Sequence, residues 1–262
     1  MSFKIPIVSV IMNCHNGAKY LKESILSLNA QTYKNWELIF FNNCSNDKSE
    51  EIIRGFKSKK IRYFFSNKKL KLYHARNLAI KKARGKFISF LDTDDKWCKD
   101  KLKLQLDFFK KNKDFNVVYS NYFLLDERKN IQKVFFKNKL PSGLVSQKLL
   151  NKYVVGILTV MIKRNILRKN KFNQSFEIIG DFDLFLHLSK KYRFGCIQKP
   201  LAFYRDHFDN FSKKTNLYLK ELRKWLLKNE KRLVFEGYDL SKLKFFMLKL
   251  KIKNFLSYVG IY

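Results

Sequence analysis

Acidic side chains are scarce in this chain: 22 Asp and Glu stand against 55 Lys and Arg, a formal charge of +33 over 262 residues. Such a surface seeks anions, and nucleic acid, an anionic membrane leaflet and phosphorylated substrates would each satisfy it. Cysteine pairs are also missing. Cys14, Cys44, Cys98 and Cys196 are widely spaced, with no Cys-x-x-Cys pair and no Cys/His cluster of zinc-site form, which predicts free thiols in a reducing compartment. No apolar run reaches the ~20 residues that a bilayer crossing needs. The longest nearly unbroken one, 153–162, has ten residues and is interrupted by Gly156 and Thr159. Residues 1–13 carry one Lys and a short apolar run without a small-residue cleavage pattern, so no signal peptide is expected. Internal repeats and low-complexity segments are absent. The expectation is a cytoplasmic protein, soluble or lying peripherally on the inner face of the cell membrane.

What the sequence does contain is ordinary core material, 46% hydrophobic and rich in aromatics, with 26 Phe and 13 Tyr. That is enough for one large domain with a short appendage. Over the first 120 residues short apolar runs alternate with amphipathic segments, the pattern of a parallel α/β sheet. Strands are predicted at Val8 to Met12, Glu37 to Phe41, Ile61 to Phe65 and Phe87 to Leu91. Between them fall helices at Lys19 to Leu28, at a segment capped by Ser45 or Asn46 and ending near Gly55, and at Tyr73 to Ala83. A further helix, Lys99 to Asn112, and a strand, Val117 to Ser120, follow. Later come a strand at Leu158 to Ile162, a helix at Asp181 to Lys191, and two helices at Asn216 to Leu233 and Ser241 to Val259. In the last, Phe245, Leu248, Ile252, Phe255, Leu256 and Val259 form a stripe at helical spacing. Core packing is one explanation of that stripe, and docking on an anionic membrane is the other.

Right-handed crossovers gather the carboxyl ends of the parallel strands on one rim, where ligands of open α/β sheets bind. Asn13 to Asn16, Asn42 to Ser45, and Asp92-Thr93-Asp94-Asp95 would meet there. Three carboxylates directly after an apolar strand repel one another unless a proton or cation intervenes. Mg²⁺ or Mn²⁺ takes carboxylate oxygens and fills its remaining positions with water and substrate phosphates. A solvated turn capping the next helix is the competing reading. Arg76-Asn77 could present a guanidinium and an amide to the same rim, where Arg suits phosphate geometry. Asp181 and Asp183 either cap a helix N-terminus or include a general base for an acceptor hydroxyl. In Tyr204-Arg205-Asp206-His207, after another predicted strand, His207 is structural, a metal ligand or a diphosphate contact.

Taken together and in order, these segments resemble the family 2 glycosyltransferases, enzymes of GT-A fold. Pro6 to Gly17 with Tyr20-Leu21 and Gln31-Thr32-Tyr33 is similar to the family's first strand and helix. Ala75-Arg76-Asn77-Leu78-Ala79 followed by 85–95, Gly-Lys-Phe-Ile-Ser-Phe-Leu-Asp-Thr-Asp-Asp, is similar to its most specific stretch. The resemblance covers roughly residues 5–212 and implies a Rossmann-like, mostly parallel sheet flanked by helices, with a C-terminal helical appendage. Residues 1–212 would be the catalytic domain, 1–120 its nucleotide-sugar half and 121–212 its acceptor half, with 213–262 a basic helical extension.

The resemblance further implies an inverting, metal-dependent transfer from a nucleotide diphosphate sugar, a UDP-sugar foremost, to a saccharide or lipid-linked saccharide in cell-surface polysaccharide synthesis. Asp92 and Asp94 would hold the metal and the donor diphosphate, with His207 near the metal. Asp181, at the aspartate position of the family's Glu-Asp motif, would be the base. Asn13, Asn43 and Arg76 would line the nucleotide pocket, and 204–212 would end the catalytic domain. Two positions depart from the pattern: Asn42-Asn43-Cys44-Ser45 stands where acidic residues are usual, and Gly180 replaces the usual glutamate. A nucleic-acid-binding module and a non-catalytic scaffold for envelope assembly are the competing functions. The first lacks any helix-turn-helix, zinc-finger or RNA-recognition signature, and only Asn42-Asn43 speaks for the second.

Overall fold

The computed structural model describes residues 5–126, 131–208, 210 and 213–258, with 257 and 258 described by their backbone alone. Asp209, Phe211 and Ser212, at the expected end of the catalytic domain, and Val259 of the expected stripe lie outside the described residues.

The first half is the expected alternation. Strands β1 (Val8–Cys14), β2 (Trp36–Asn43), β3 (Ile61–Ser66) and β4 (Phe87–Phe90) alternate with helices α1 (Ala18–Asn29), α2 (Ser49–Gly55) and α3 (Leu72–Lys81). These strands pair in parallel in the order β3-β2-β1-β4. All eight residues of β2 are buried, as a central parallel strand covered on both faces requires. Ser45 and Asn46 do not cap α2. That helix begins at Ser49, and the Ser45 hydroxyl instead accepts the Asn16 N–H in the turn after β1, at 3.0 Å.

Beyond β4 the sheet turns mixed. A two-residue strand β5 (Lys96–Trp97) precedes α4 (Lys101–Lys111), followed by β6 (Phe115–Asp126) and β7 (Ile131–Val134). Next come α5 (Ser146–Asn151), a 3-10 turn at Ile157–Thr159, β8 (Met161–Lys163), α6 (Arg164–Lys169), α7 (Gly180–Ser189) and β9 (Arg193–Asp206). The full order is β3-β2-β1-β4-β8-β6-β9-β5, with β7 beside β6. Strand β8 runs antiparallel to both β4 and β6, whereas β6 and β9 are parallel. The expected mostly parallel sheet is thus present, in β1 to β4 and again in the long β6–β9 pair, with short antiparallel pairings making the second half mixed. Strand β6 runs far past the predicted 117–120 because β9 pairs along its length, a partner invisible to local pattern. At 158–162 only the end is strand, since the Thr159 hydroxyl and N–H both bond back to the Gly156 carbonyl and curl the chain first.

Helices α8 (Thr215–Phe235) and α9 (Ser241–Tyr258) close the described chain. Leu219, Leu222, Trp225 and Leu233 of α8 share a core with Phe182 and Phe185 of α7. On α9 four residues of the expected stripe face outward and not into the core. Leu243 and Met247 are buried, while Phe245, Leu248, Ile252 and Phe255 are exposed. Among the described residues no helix is long and apolar enough to cross a membrane.

Candidate active site

Strand β4 delivers Asp92-Thr93-Asp94-Asp95 at its carboxyl end, where a turn closes from the Asp95 N–H to the Asp92 carbonyl. Helix α1 abuts this loop. The Ser24 hydroxyl donates to the Asp92 carbonyl at 3.0 Å, and Gly17 allows the close approach, because a Cβ there would lie 2.7 Å from Thr93 Oγ1.

Each aspartate has a different partner. Asp92 Oδ1 accepts from Arg76 Nη2 at 2.8 Å. Burial raises its pKa, Arg76 opposes that, and the Asp94 charge adds to it. Asp94 Oδ2 lies 3.0 Å from His207 Nε2, with the two side chains 30% and 15% exposed, so this pair remains open to solvent. Asp95 is buried and accepts the Arg205 N–H at 3.1 Å. Burial, then Asp94 and Asp92, push its carboxyl well above the ordinary range. The Arg205 side chain donates to the Asp94 carbonyl and pairs with Glu23, tying the end of β9 and thus His207 to the loop.

Arg76 reaches the rim but does not offer its guanidinium to an incoming phosphate. It is 3% exposed, wedged among the rings of Tyr73, Phe90 and Phe172, with Asp92 as its counter-ion. A cation so enclosed is held by charge and π contacts together. Asn77 is likewise turned away, its amide donating to the Phe172 carbonyl and accepting the Phe172 N–H.

The β2 rim is also spoken for. Asn43 clasps the backbone of Leu70 through both ends of its amide, at 2.8 and 2.9 Å. Asn42 donates to the Tyr63 hydroxyl and accepts the Ser45 N–H. Those hydrogen bonds commit one donor and one acceptor of each amide to holding the loop. Asn13 is the contrast: both polar atoms of its amide are buried and have no protein partner.

Asp181 and Asp183 separate cleanly. Trp225 of α8 donates to Asp183 at 2.8 Å, which occupies that carboxylate. Asp181, in the first turn of α7, has its pKa pushed up to about 6 by burial, against the lowering pull of the Phe182 N–H and of Arg76. The Tyr73 hydroxyl donates to the Ile178 carbonyl at 2.6 Å and lies 3.4 Å from Asp181 Oδ1. A continuous set of contacts, Asp92 to Arg76 to Tyr73 to Asp181, thus joins the aspartate loop to α7.

Two supports escaped the sequence reading. Glu221, buried on α8, accepts the N–H groups of Glu177, Ile178 and Ile179 at 2.7, 2.9 and 3.1 Å and so fixes the turn into α7. Forty residues separate it from Asp181, and no local signal points to it. Tyr73 explains the missing glutamate: a Cβ at Gly180 would fall 2.5 Å from two Tyr73 ring carbons. The ring is 2% exposed and fixed by its hydrogen bond, so it cannot swing aside. Gly180→Ala should therefore destabilise the protein by about 1–3 kcal/mol, read as a lower denaturant midpoint at unchanged m-value.

The Glycosyl transferase family 2 model matches residues 9–175. The Escherichia coli protein WfgD, a UDP-Glc:alpha-D-GlcNAc-diphosphoundecaprenol beta-1,3-glucosyltransferase, is 30% identical over 219 residues, 84% of each chain. Among solved structures, S. aureus TarS 1-349 in complex with UDP-GlcNAc superposes with a TM-score of 0.66 at 19% identity, covering 84% of this chain and 66% of that one. The Pyrobaculum calidifontis mannosyltransferase PcManGT, in complex with GDP-Man and Mn2+, gives 0.65 at 16% identity, covering 87% and 65%. The solved structures show the GT-A fold, and the chain belongs to glycosyl transferase family 2.

Proposed function

We propose that this glycosyltransferase moves a sugar from a UDP-sugar to a hydroxyl of a saccharide carried on a diphospholipid, with inversion, in the assembly of a cell-surface polysaccharide. The observation that carries the reading is Asp181: a carboxyl with a pKa near 6, joined through Tyr73 and Arg76 to the aspartate loop. A base poised near the working pH has both the right protonation state and the drive to take a proton. WfgD, by its name, uses UDP-Glc and a diphosphoundecaprenol-linked acceptor, which supports the donor and acceptor class.

The donor diphosphate would meet the loop at Asp94 and His207, with Asn13 offering its unpartnered amide to the nucleotide. Asp92, held by Arg76, would shape this end of the site. A divalent ion fits the donor set: one carboxylate oxygen and one imidazole nitrogen, adjacent and part-exposed. Among the described residues no group of three or more Asp, Glu, His or Cys side chains is gathered as a metal cage. Mg²⁺ or Mn²⁺ would bind through one or two protein ligands plus substrate phosphates and water. Such an ion, when bound, neutralises charge on the departing diphosphate. Asp181 would take the acceptor proton as the hydroxyl attacks the anomeric carbon opposite the leaving group. The Phe182 N–H and the Tyr73 hydroxyl contact that carboxylate, and Glu221 holds its turn. In this reading residues 1–212 form the catalytic body and 213–262 a basic extension.

The test is nucleotide release by purified protein with Mn²⁺ and a panel of nucleotide sugars, with and without a saccharide-diphospholipid acceptor. Acceptor-dependent UDP release from at least one UDP-sugar is expected. Release only from other nucleotide sugars would remove the donor assignment, and no acceptor-stimulated release from any donor would remove the reading.

A further inference from the structure

Helix α9 is apolar on two opposite faces. Leu243 and Met247, with the half-buried Leu250, turn inward against α5 and α8. At about 100° per residue, Phe245, Leu248, Ile252 and Phe255 lie on the opposite side, where they are 57%, 51%, 49% and 63% exposed. Lysines border that ridge on both flanks. By helical position Lys242, Lys249 and Lys253 run along one edge and Lys244 and Lys251 along the other, all exposed, and α9 has no acidic residue. The Lys249 ammonium sits 4.5 Å from the centre of the Phe245 ring, close to the ridge itself.

A ridge of large apolar side chains with a lysine border has few partners that suit both parts. A second copy of the face would set lysine border against lysine border on two chains of +33 each, a repulsion that opposes the apolar contact. An acidic lipid surface satisfies both. Its acyl boundary takes the aromatic and aliphatic side chains, its headgroup phosphates take the ammonium groups, and the lysine stems lie along the boundary between them. We infer that α9 is an interfacial helix that docks this protein on an anionic lipid bilayer, with Phe245, Leu248, Ile252 and Phe255 as the inserted ridge. The inference stands on α9 alone and is independent of the donor, the acceptor and Asp181.

Co-sedimentation of the full chain with vesicles tests it, using phosphatidylglycerol with phosphatidylethanolamine in one arm and phosphatidylcholine alone in the other, at about 0.1 M salt. Binding to the anionic vesicles and not to the zwitterionic ones is expected. The triple substitution Phe245→Ser, Ile252→Ser, Phe255→Ser should lower the partition coefficient by about tenfold or more. Its thermal melt should not change, because the three side chains are exposed. Should that variant melt early, Phe255→Glu alone should still lower binding several-fold. Failure of the wild type to bind anionic vesicles would overturn the inference. So would undiminished binding by well-folded ridge variants, since general charge would then account for attachment. A concentration-dependent dimer abolished by the triple substitution, with vesicle binding intact, would assign the ridge to a second copy.

Discussion

Asp181→Asn should lower sugar transfer by about 10²–10⁴-fold, the usual contribution of a positioned general base, while metal-dependent donor binding stays close to wild type. The asparagine keeps the shape of the side chain and can still accept the Phe182 N–H, so the site remains assembled. What disappears is the capacity to take the acceptor's proton. Stability should not fall with activity. Burial raises the folded-state pKa of Asp181 from an ordinary value near 3.8 to about 6, so ionisation is disfavoured in the folded protein. The cost sets in as pH rises through the unfolded value and is complete above the folded one. At neutral pH the neutral amide avoids it, and the variant should melt at the same temperature as wild type or higher. Transfer at wild-type rates by Asp181→Asn would remove Asp181 from the reaction.

The second large effect is expected at the other end of the site. Asp94→Ala should cost transfer about 10²-fold or more, because charge on the leaving diphosphate loses its stabilisation. It should also lower Mn²⁺-dependent donor affinity, which Asp181→Asn does not. The side chain is 30% exposed and contacts His207, so the loop should keep its fold. Arg205 braces it through the Asp94 backbone carbonyl and through Asp95, neither of which the substitution touches. Calorimetry with the nucleotide sugar, with and without Mn²⁺, separates the two variants. Metal-dependent binding that survives Asp94→Ala would contradict the assignment of this end.

Much of the fold was legible because its first half is written locally. Each buried parallel strand is a short apolar run, and each crossover helix has its own period, so β1 to β4 and the rim they share could be read along the chain. The second half depends on pairing at a distance. Strand β6 takes its length from β9, and β5 is two residues that become a strand only because Phe203 and Ala202 lie beside them. The aspartate loop was visible as a chemical anomaly, three carboxylates after an apolar strand. Its partners were not equally visible. Arg76 was drawn correctly to the rim, but its direction depends on Phe90 and Phe172 from other parts of the chain together with Tyr73 one turn away, and these rings bury the guanidinium. Asn43 was read as lining the nucleotide pocket, and the hold of its amide on the Leu70 backbone was not visible in the sequence. Glu221 carried no signal at all, since an acid on a basic amphipathic helix looks like a solvated side chain until α8 folds onto the turn before α7. The α9 ridge shows the limit of periodicity: spacing finds an apolar face, but not which of two faces meets the core.

The central claim is that Asp181 removes the acceptor's proton, and the pH dependence of kcat/KM tests it most directly when wild type and Asp181→Asn are compared from about pH 4.5 to 8. The wild-type profile should fall on the acid side through a single ionisation near pH 6, and the residual activity of Asp181→Asn should lack that limb. An acid limb near pH 6 that persists unchanged in Asp181→Asn would contradict the account.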